Sequence, residues 1–586
     1  MSRRAIPLEA SKEDEVSKGK NRDARINLAA LLLMAALGLI AYRLIYLQVF
    51  KADRYQALAR EQRLQFADLK PRRGCILDRD GEVLAISQEA YSIYAIPYLV
   101  QDAGSAAAEL SVVLGKPRQD IEKKLRSGSG FVYLERKVDP ETAEKVEGLG
   151  IQGIGLEKES KRFYPQKELA CQVLGYVGTD NVGLAGLELQ YEELLAGEEG
   201  QAELEVDPRG DPIPGVTRVI KKPVDGSDIQ LSIDSEIQFK LQEQLKLSVE
   251  GSGAKGGTGL VMDCSTGEIL AMASFPHFDV NAYPETDPAL TRNRAITDAF
   301  EPGSVLKVVT AMAALEEQVV SPGSVIHIPP SIQVGKYEFK DDHPMPRSDL
   351  TFTEVIAHSS NLGTIKTAIS LGKEAMAEYL HRCGLGSRTG VDFPGEAAGK
   401  IPEPGAWTAT TLPTVAIGQG ITVTPLQLAV VMAAVANGGT MVHPHFLRSV
   451  VHPDGSREER DAEEGERVIS ENTAASLRHI LGEVVRVGTG TRAAMALYNC
   501  GGKTGTAMKP DPKGGYREAY IASFAGFAPA ENPRLVAVIT LDEPLQVYGG
   551  LAAAPCFSRV MEFALQHLEI TPSPEKRNTS DKVVPQ

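Results

Sequence analysis

The most continuous apolar stretch of the chain runs from Ile26 to Tyr42, interrupted only by Asn27, and it resumes after Arg43 through Phe50. As a helix rising ~1.5 Å per residue, the first part spans about 26 Å, slightly less than a hydrocarbon core of ~30 Å. Continued to Phe50, with Arg43 snorkelling beside Tyr42 and Tyr46, it is long enough. The pattern predicts one transmembrane anchor over 26–50. Lys12, Lys18, Lys20, Arg22 and Arg25 precede it, so the positive-inside rule keeps a polar, disordered tail (1–25) in the cytoplasm and sends the rest of the chain outward. One rival is a cleaved signal peptide, because Ala36-Leu37-Gly38 offers small residues for a cut. A buried core helix is the weaker alternative, since nothing N-terminal could cover it.

Beyond the anchor the apolar positions become short and periodic. Lys51 to about Arg63 is charged and amphipathic, as for a membrane helix that continues or docks. Pro71 to Ala85 reads as two short strands around an Asp80-Gly81 turn. A calcium loop on Asp78 and Asp80 would need glycine at loop position 6, and Gly81 falls at position 4. Residues 104–150 alternate apolar and charged stretches as helices do, and another short helix and turn follow near 186–200. The region 51–225 is expected to be an elongated α/β pedestal, a binding or spacing module without a catalytic cluster.

From Asp225 the texture changes. A strand (229–233), an amphipathic helix (236–249) and two apolar strands around Ser265-Thr266-Gly267 open this part, and the chain is then helix-rich to about Gly438. Strands return between Ala519 and Leu541, and a last helix covers about 556–568. Strands at both ends with helices between predict an α+β domain over 226–568, in which one antiparallel sheet is sandwiched by helices. Residues 569–586, rich in Pro and charge, are expected to be disordered.

Composition narrows the function. A chain of 586 residues exceeds a single core, and a net charge of −15 without a basic face argues against nucleic acid as a partner. The six cysteines lie at least about 55 residues apart, which fits no zinc or Cys-x-x-Cys pattern and predicts single buried thiols. The ten histidines show no ligand spacing. Asp341-Asp342-His343 and His443-Pro444-His445 read as loop residues.

Candidate chemistry centres on Phe300-Glu301-Pro302-Gly303-Ser304 and the apolar run after it. Lys307 lies one helical turn from Ser304 in a helix apolar on nearly every side, where an unpaired lysine is rare. The spacing puts a base beside a nucleophile, with the helix dipole favouring an alkoxide. Ser-x-x-Lys alone proves little, since it also occurs at Ser17, Ser252, Ser370 and Ser573. Ser359-Ser360-Asn361 supplies a second element, whereas the similar Ser470-Glu471-Asn472 reads as a helix N-cap. Lys503-Thr504-Gly505 with Thr506 is a glycine-flanked strand, in which Gly505 would leave room for a ligand backbone.

In this order, with gaps of about 55 and 140 residues, the three motifs match the signature of penicillin-binding proteins and class A β-lactamases. Over about residues 26–566 the chain resembles a class B penicillin-binding protein, through Pro71-Arg72-Arg73-Gly74, Asp78-Arg79, Gly186-Leu187-Glu188 and Gly418-Gln419-Gly420-Ile421. The stretch from Arg292 to Ser304 is similar to the division-specific, FtsI-type D,D-transpeptidases. The resemblance implies that Ser304 attacks a stem-peptide carbonyl, Lys307 takes its proton and Ser359 relays a proton to the leaving amine. Asn361 would bind substrate and position Lys307. Lys503, Thr504, Gly505 and Thr506 would hold the terminal carboxylate, with the Ser304 and Thr506 amides as oxyanion hole. Lys307 must then be lowered from the usual ~10.4 by burial and by Lys503. No metal or diffusible cofactor is implied. Implied partners are peptidoglycan stem peptides on lipid-linked nascent strands, a SEDS-type (FtsW-like) membrane glycosyltransferase with other divisome proteins, and β-lactams as covalent inhibitors. Alternatives are a hydrolase, a β-lactam sensor, or an elongation- or sporulation-specific relative; the absence of repeat modules after residue 566 disfavours the last.

Overall fold

The computed structural model describes residues 12–55, 64–206, 212–511, 513–574 and 576, which form two compact units: the chain up to residue 70 together with 199–223, and all the rest. In the first unit a helix runs Lys12–Ile45 and continues as a wider π-type turn over Tyr46–Phe50. Its Ala24–Phe50 segment has a mean hydropathy of 2.2 and is entirely unburied, which is long and apolar enough to cross a membrane. The helix starts well before the apolar run, so residues 12–25 are helical where a disordered tail is expected; residues 1–11 lie outside the described residues. Once the apolar run nucleates a helix, extension adds one hydrogen bond per residue. Of the amphipathic stretch, residues 56–63 are outside the described residues. Leu64–Leu69, Gly200–Val206 and Pro212–Lys221 complete this unit as an antiparallel sheet.

In the second unit the expected pedestal and the expected C-terminal domain share a sheet. Its order is Arg457–Glu459, Leu447–Val451, Asp228–Leu231, Ile76–Leu77, Val83–Ala95 and Val132–Val138, with Ile154–Phe163 also paired to Val83–Ala95. Ile76–Leu77 and Asp228–Leu231 pair in parallel, so sheet hydrogen bonding crosses the boundary expected at 225. Asp78 shapes the predicted turn, accepting from the amides of Asp80 and Glu82 at 2.9 Å. The region 104–150 contains three helices and the strand Val132–Val138, whose apolar positions alternate too weakly to stand out from the helices around it.

A five-stranded antiparallel sheet organises the C-terminal part, in the order Ile269–Phe275, Gly256–Asp263, Leu535–Asp542, Tyr516–Ala528, Gly501–Pro510. Alternation along its strands sends Leu260, Met262, Ala525, Phe527, Val536 and Val538 into one buried cluster and Val261, Phe524, Ala537 and Ile539 into another. The first cluster contains the wholly buried helix Pro425–Ala436 and the helix Lys307–Glu316; the second holds Ser235–Ser252 and Ala554–His567. Helices thus cover both faces. All six cysteines are buried free thiols. The chain after the last helix is not loose at its start: Ser573 is buried, its amide donates to Leu497 O at 3.1 Å, and its hydroxyl accepts from Asn499 N at 2.9 Å. Residues 577–586 lie outside the described residues.

Glu188 anchors the shared region. It is fully buried and takes Arg73 Nε at 2.8 Å, Arg162 Nε at 2.7 Å and the Tyr164 hydroxyl at 3.2 Å. Arg73 also meets Glu192 at 2.7 Å, so the guanidinium that depends on Glu188 is that of Arg162, and breaking such a buried pair strands a charge at a cost of about 3–5 kcal/mol. Glu188→Ala is expected to lower unfolding stability by roughly that amount, read as a fall in denaturant midpoint. A change below about 1 kcal/mol would show that water reaches the cluster and compensates Arg162.

Candidate active site

Ser304 lies in a single 3-10 turn, Gly303–Leu306, that leads directly into Lys307–Glu316. The turn is held from outside the helix. Gly303 N donates to Gly418 O at 3.0 Å, Phe300 bridges Val423, and the Glu301 carboxylate accepts from Gly420 N at 3.1 Å and from the Tyr516 hydroxyl at 3.0 Å. Gly418 has φ +82° and a Cβ there would stand 1.9 Å from Gly303 O, so only glycine permits this clamp. The Gly418-Gln419-Gly420 segment is therefore part of the nucleophile's seat.

The strand Gly501–Pro510 forms the edge of the sheet and packs against that turn. Lys503 pairs with Ala525, so its side chain falls on the sheet face shared with the Ser304 helix. Gly505 serves a different purpose from the one its sequence suggests. A Cβ would meet Ser523 Oγ at 2.2 Å, Val305 Cγ2 at 2.8 Å and Pro302 O at 2.9 Å, so its small size lets the serine turn dock on the strand, and no space is left over for a ligand.

Lys307 and Lys503 are both fully buried, and Ser359 lies between them. Lys307 Nζ donates to Ser359 O at 2.6 Å, Asn361 Oδ1 at 2.7 Å and Ser359 Oγ at 3.2 Å. Lys503 Nζ donates to the same Ser359 Oγ at 2.9 Å and to Thr504 O at 3.3 Å. The expected direct bond from Lys307 to Ser304 is thus replaced: all three ammonium donors point to Ser359 and Asn361. Asn361 is also engaged at its other end, donating Nδ2 to Lys340 O at 3.2 Å. It positions Lys307 through Oδ1, while Nδ2 has a second N–H beyond the one given to Lys340 O. Ser359 holds φ +59°, a left-handed conformation uncommon outside glycine and characteristic of strained functional positions. Ser360 caps the following helix through Gly363 N at 3.0 Å and donates to Asp341 at 3.1 Å, while Asp341 accepts Leu362 N at 3.0 Å.

Burial pushes Lys307 down to about 8, with Asp342 and Asp341 pulling the other way. Lys503 is also pushed well down, first by burial and then by the charge of Lys307. Burial is therefore the main reason a neutral amine is accessible here, and the repulsion between the two cations adds to it.

Ser304, Ser359, Thr504 and Thr506 open into one cleft of about 260 Å³, walled also by Asp342, His343, His358, Thr489 and Tyr548. Thr504 Oγ1 lies 2.8 Å from Thr489 Oγ1. Lys307, Asn361, Lys503 and Gly505 are not on the cleft wall: they sit behind it. Sequence reasoning set Asp342 and His343 aside as loop residues and missed Thr489 and Tyr548. Only the fold of the loops they occupy brings them to Ser304.

Comparison with known proteins gives the family. Residues 257–562 match the penicillin binding protein transpeptidase domain, and 68–231 match the penicillin-binding protein dimerisation domain. Penicillin-binding protein PbpB of Mycolicibacterium smegmatis is 36% identical over 93% of this chain and 90% of its own length. Peptidoglycan D,D-transpeptidase FtsI of Escherichia coli is 32% identical over 94% and 92%. The crystal structure of penicillin binding protein 3 from Mycobacterium tuberculosis complexed with aztreonam superposes with a TM-score of 0.69 at 31% identity, covering 87% of this chain and 98% of that one. Matched through both modules and along nearly its full length, the chain belongs to the class B penicillin-binding proteins.

Proposed function

We propose that this protein is the D,D-transpeptidase that cross-links peptidoglycan stem peptides during septum formation, through an acyl intermediate on Ser304. The observation that carries the reading is Ser359 Oγ hydrogen-bonded to two buried amines beside a serine that faces the cleft. The division role rests on the full-length likeness to FtsI.

The donor peptide's terminal carboxylate meets the hydroxyls of Thr504 and Thr506 on the cleft wall, with Lys503 supplying positive charge from behind. That carboxylate draws the shared proton onto Lys503, and a charged Lys503 disfavours charge on Lys307, leaving Lys307 as a neutral base. Lys307 gives up its longest bond, to Ser359 Oγ, and takes the Ser304 proton as Ser304 attacks the penultimate D-Ala carbonyl. The amides of Ser304 and Thr506 stabilise the oxyanion, a contribution of roughly 3–4 kcal/mol per donor. The C–N bond breaks, the proton passes through Ser359 Oγ to the leaving D-Ala amine, and an acyl-ester remains. β-Lactams enter the same sequence and stop at the ester.

Fluorescent penicillin is expected to label Ser304, and Ser304→Ala to abolish labelling; labelling that survives would overturn this mechanism. Because this sequence of steps needs one proton on the lysine pair, the second-order acylation constant should fall as pH rises through a midpoint near 8, where Lys307 gives up that proton. A profile flat across that range would remove Lys307 as the base.

The basic residues before the apolar helix orient it with the N-terminus in the cytoplasm and the catalytic part outside, in the periplasm. Since the enzyme acts on strands a separate polymerase must make, the anchor is expected to engage a membrane glycosyltransferase of SEDS (FtsW-like) type within the divisome. Replacing residues 26–50 by an unrelated anchor should abolish co-purification of that polymerase while Ser304 labelling persists. Retained co-purification would count against this role of the anchor.

A further inference from the structure

The catalytic cleft borders a second space at the Asp341-Asp342-His343 loop. Asp342, His343 and Met345 line both the cleft and an adjoining groove of about 520 Å³, whose walls include Ile328, Pro330 and Arg347. The loop is thus a wall common to both spaces. The loop is fixed at its root, because Asp341 is tied to Ser360 and to Leu362 N. At its tip His343 packs against Tyr548 in a tilted arrangement, centroids 5.0 Å apart and planes at 55°.

Charge along the groove is paired except at this junction. Lys340 meets Glu338 at 3.0 Å, Arg347 meets Glu354 at 2.6 Å and His327 meets Asp349 at 2.9 Å. The exposed Asp342 carboxylate makes no hydrogen bond or ion pair among the described residues, yet it stands close enough to raise the Lys307 pKa. An unpaired anion at the mouth of the nucleophile's cleft suits a cation. The donor cannot supply one there, since its end group is a carboxylate held by the threonines at the Lys503 strand. The second substrate can, because the nucleophile that resolves the ester is a primary amine and arrives as an ammonium.

We propose that this groove holds the acceptor stem peptide and that Asp342 binds its ammonium beside acyl-Ser304. The proposal rests on the transpeptidase reading above and deepens it by assigning the second substrate's site. In the step, the ammonium loses one proton to the His343 imidazole, which releases it to water. The neutral amine attacks the ester carbonyl and the N–C bond forms. Lys307 takes the second proton from that nitrogen and hands it to Ser304 Oγ as the C–O bond breaks. The products are an amide cross-link, free Ser304 and one proton in solution.

The test uses the full-length protein in detergent, a D-alanyl thioester as donor, and the ratio of aminolysis to hydrolysis as readout. Both branches start from the same ester, so any effect of Asp342 on acylation cancels. With a D-amino acid as acceptor, Asp342→Asn is expected to lower the ratio by roughly tenfold, the loss of one charge-assisted contact. Asp342→Glu should recover part of it, and His343→Gln should lower it by a smaller factor. With hydroxylamine, uncharged at neutral pH, the Asp342→Asn ratio should equal that of the wild type. An unchanged ratio for the cationic acceptor would overturn the proposal, and so would an equal fall for both acceptors, which marks a merely structural role. Loss of acylation itself in Asp342→Asn would assign the carboxylate to the donor half-reaction and overturn it too. Failure of the wild type to acylate would instead bring down the transpeptidase reading.

Discussion

Two lysine amines share one serine hydroxyl in a dry interior, and most of the catalytic architecture follows from that constraint. Burying a single ammonium costs several kcal/mol, and a second beside it adds repulsion, so the pair is tolerable only with its donors satisfied and with less than full charge. The carbonyl and hydroxyl of Ser359 and the side-chain oxygen of Asn361 satisfy Lys307, while Ser359 Oγ and Thr504 O serve Lys503. Presenting both oxygens of Ser359 to Lys307 and one to Lys503 coincides with its left-handed backbone. Asp341 holds Ser360 and Leu362, the segment that directly follows Ser359.

The rest of the fold brings these groups together from distant parts of the chain and keeps them there. The edge strand of the sheet supplies Lys503, a buried helix supplies Lys307, and the nucleophile sits on the single turn between that helix and the strand. Gly418 and Gly505 let three backbones approach closely enough for the turn to be gripped on both sides. Further from the site, Asp228–Leu231 pairs with Ile76–Leu77 on one side and with Leu447–Val451 on the other, which joins residues 71–198 to the catalytic part in one compact unit. A catalytic part built this way holds its electrostatics before substrate arrives, which is where preorganised sites derive their advantage.

Much of this was legible in the sequence because it is local. The membrane-length apolar run, the alternation in 256–275 and 516–542, and the Ser470 cap are patterns within a few residues, and each forms as expected. The three motifs identify Ser304, Lys307, Ser359 and Lys503, since their chemistry is written in short spacings. What the sequence could not carry was direction and partnership. Nothing local says that Lys307 points to Ser359 and Asn361 instead of Ser304, or that Gly505 makes room for Val305. The sheet shared across residue 225 pairs strands far apart in the chain, which no local change of texture reveals. Asp342 and Tyr548 lie more than 200 residues apart yet wall one cleft. The packed Ser573 segment was hidden because its composition resembles that of a loose tail, although its hydrogen bonds do not.

The state of the two amines is the most direct test of this account. Nitrogen-15 NMR of lysine Nζ in the full chain, with Lys307 and Lys503 assigned by substitution to arginine, would follow each through a pH titration. The account predicts that both lose their proton well below the surface lysines, Lys307 with a midpoint near 8. Two amines titrating with the surface lysines near ~10.4 would contradict it, because neither could then act as a base at neutral pH.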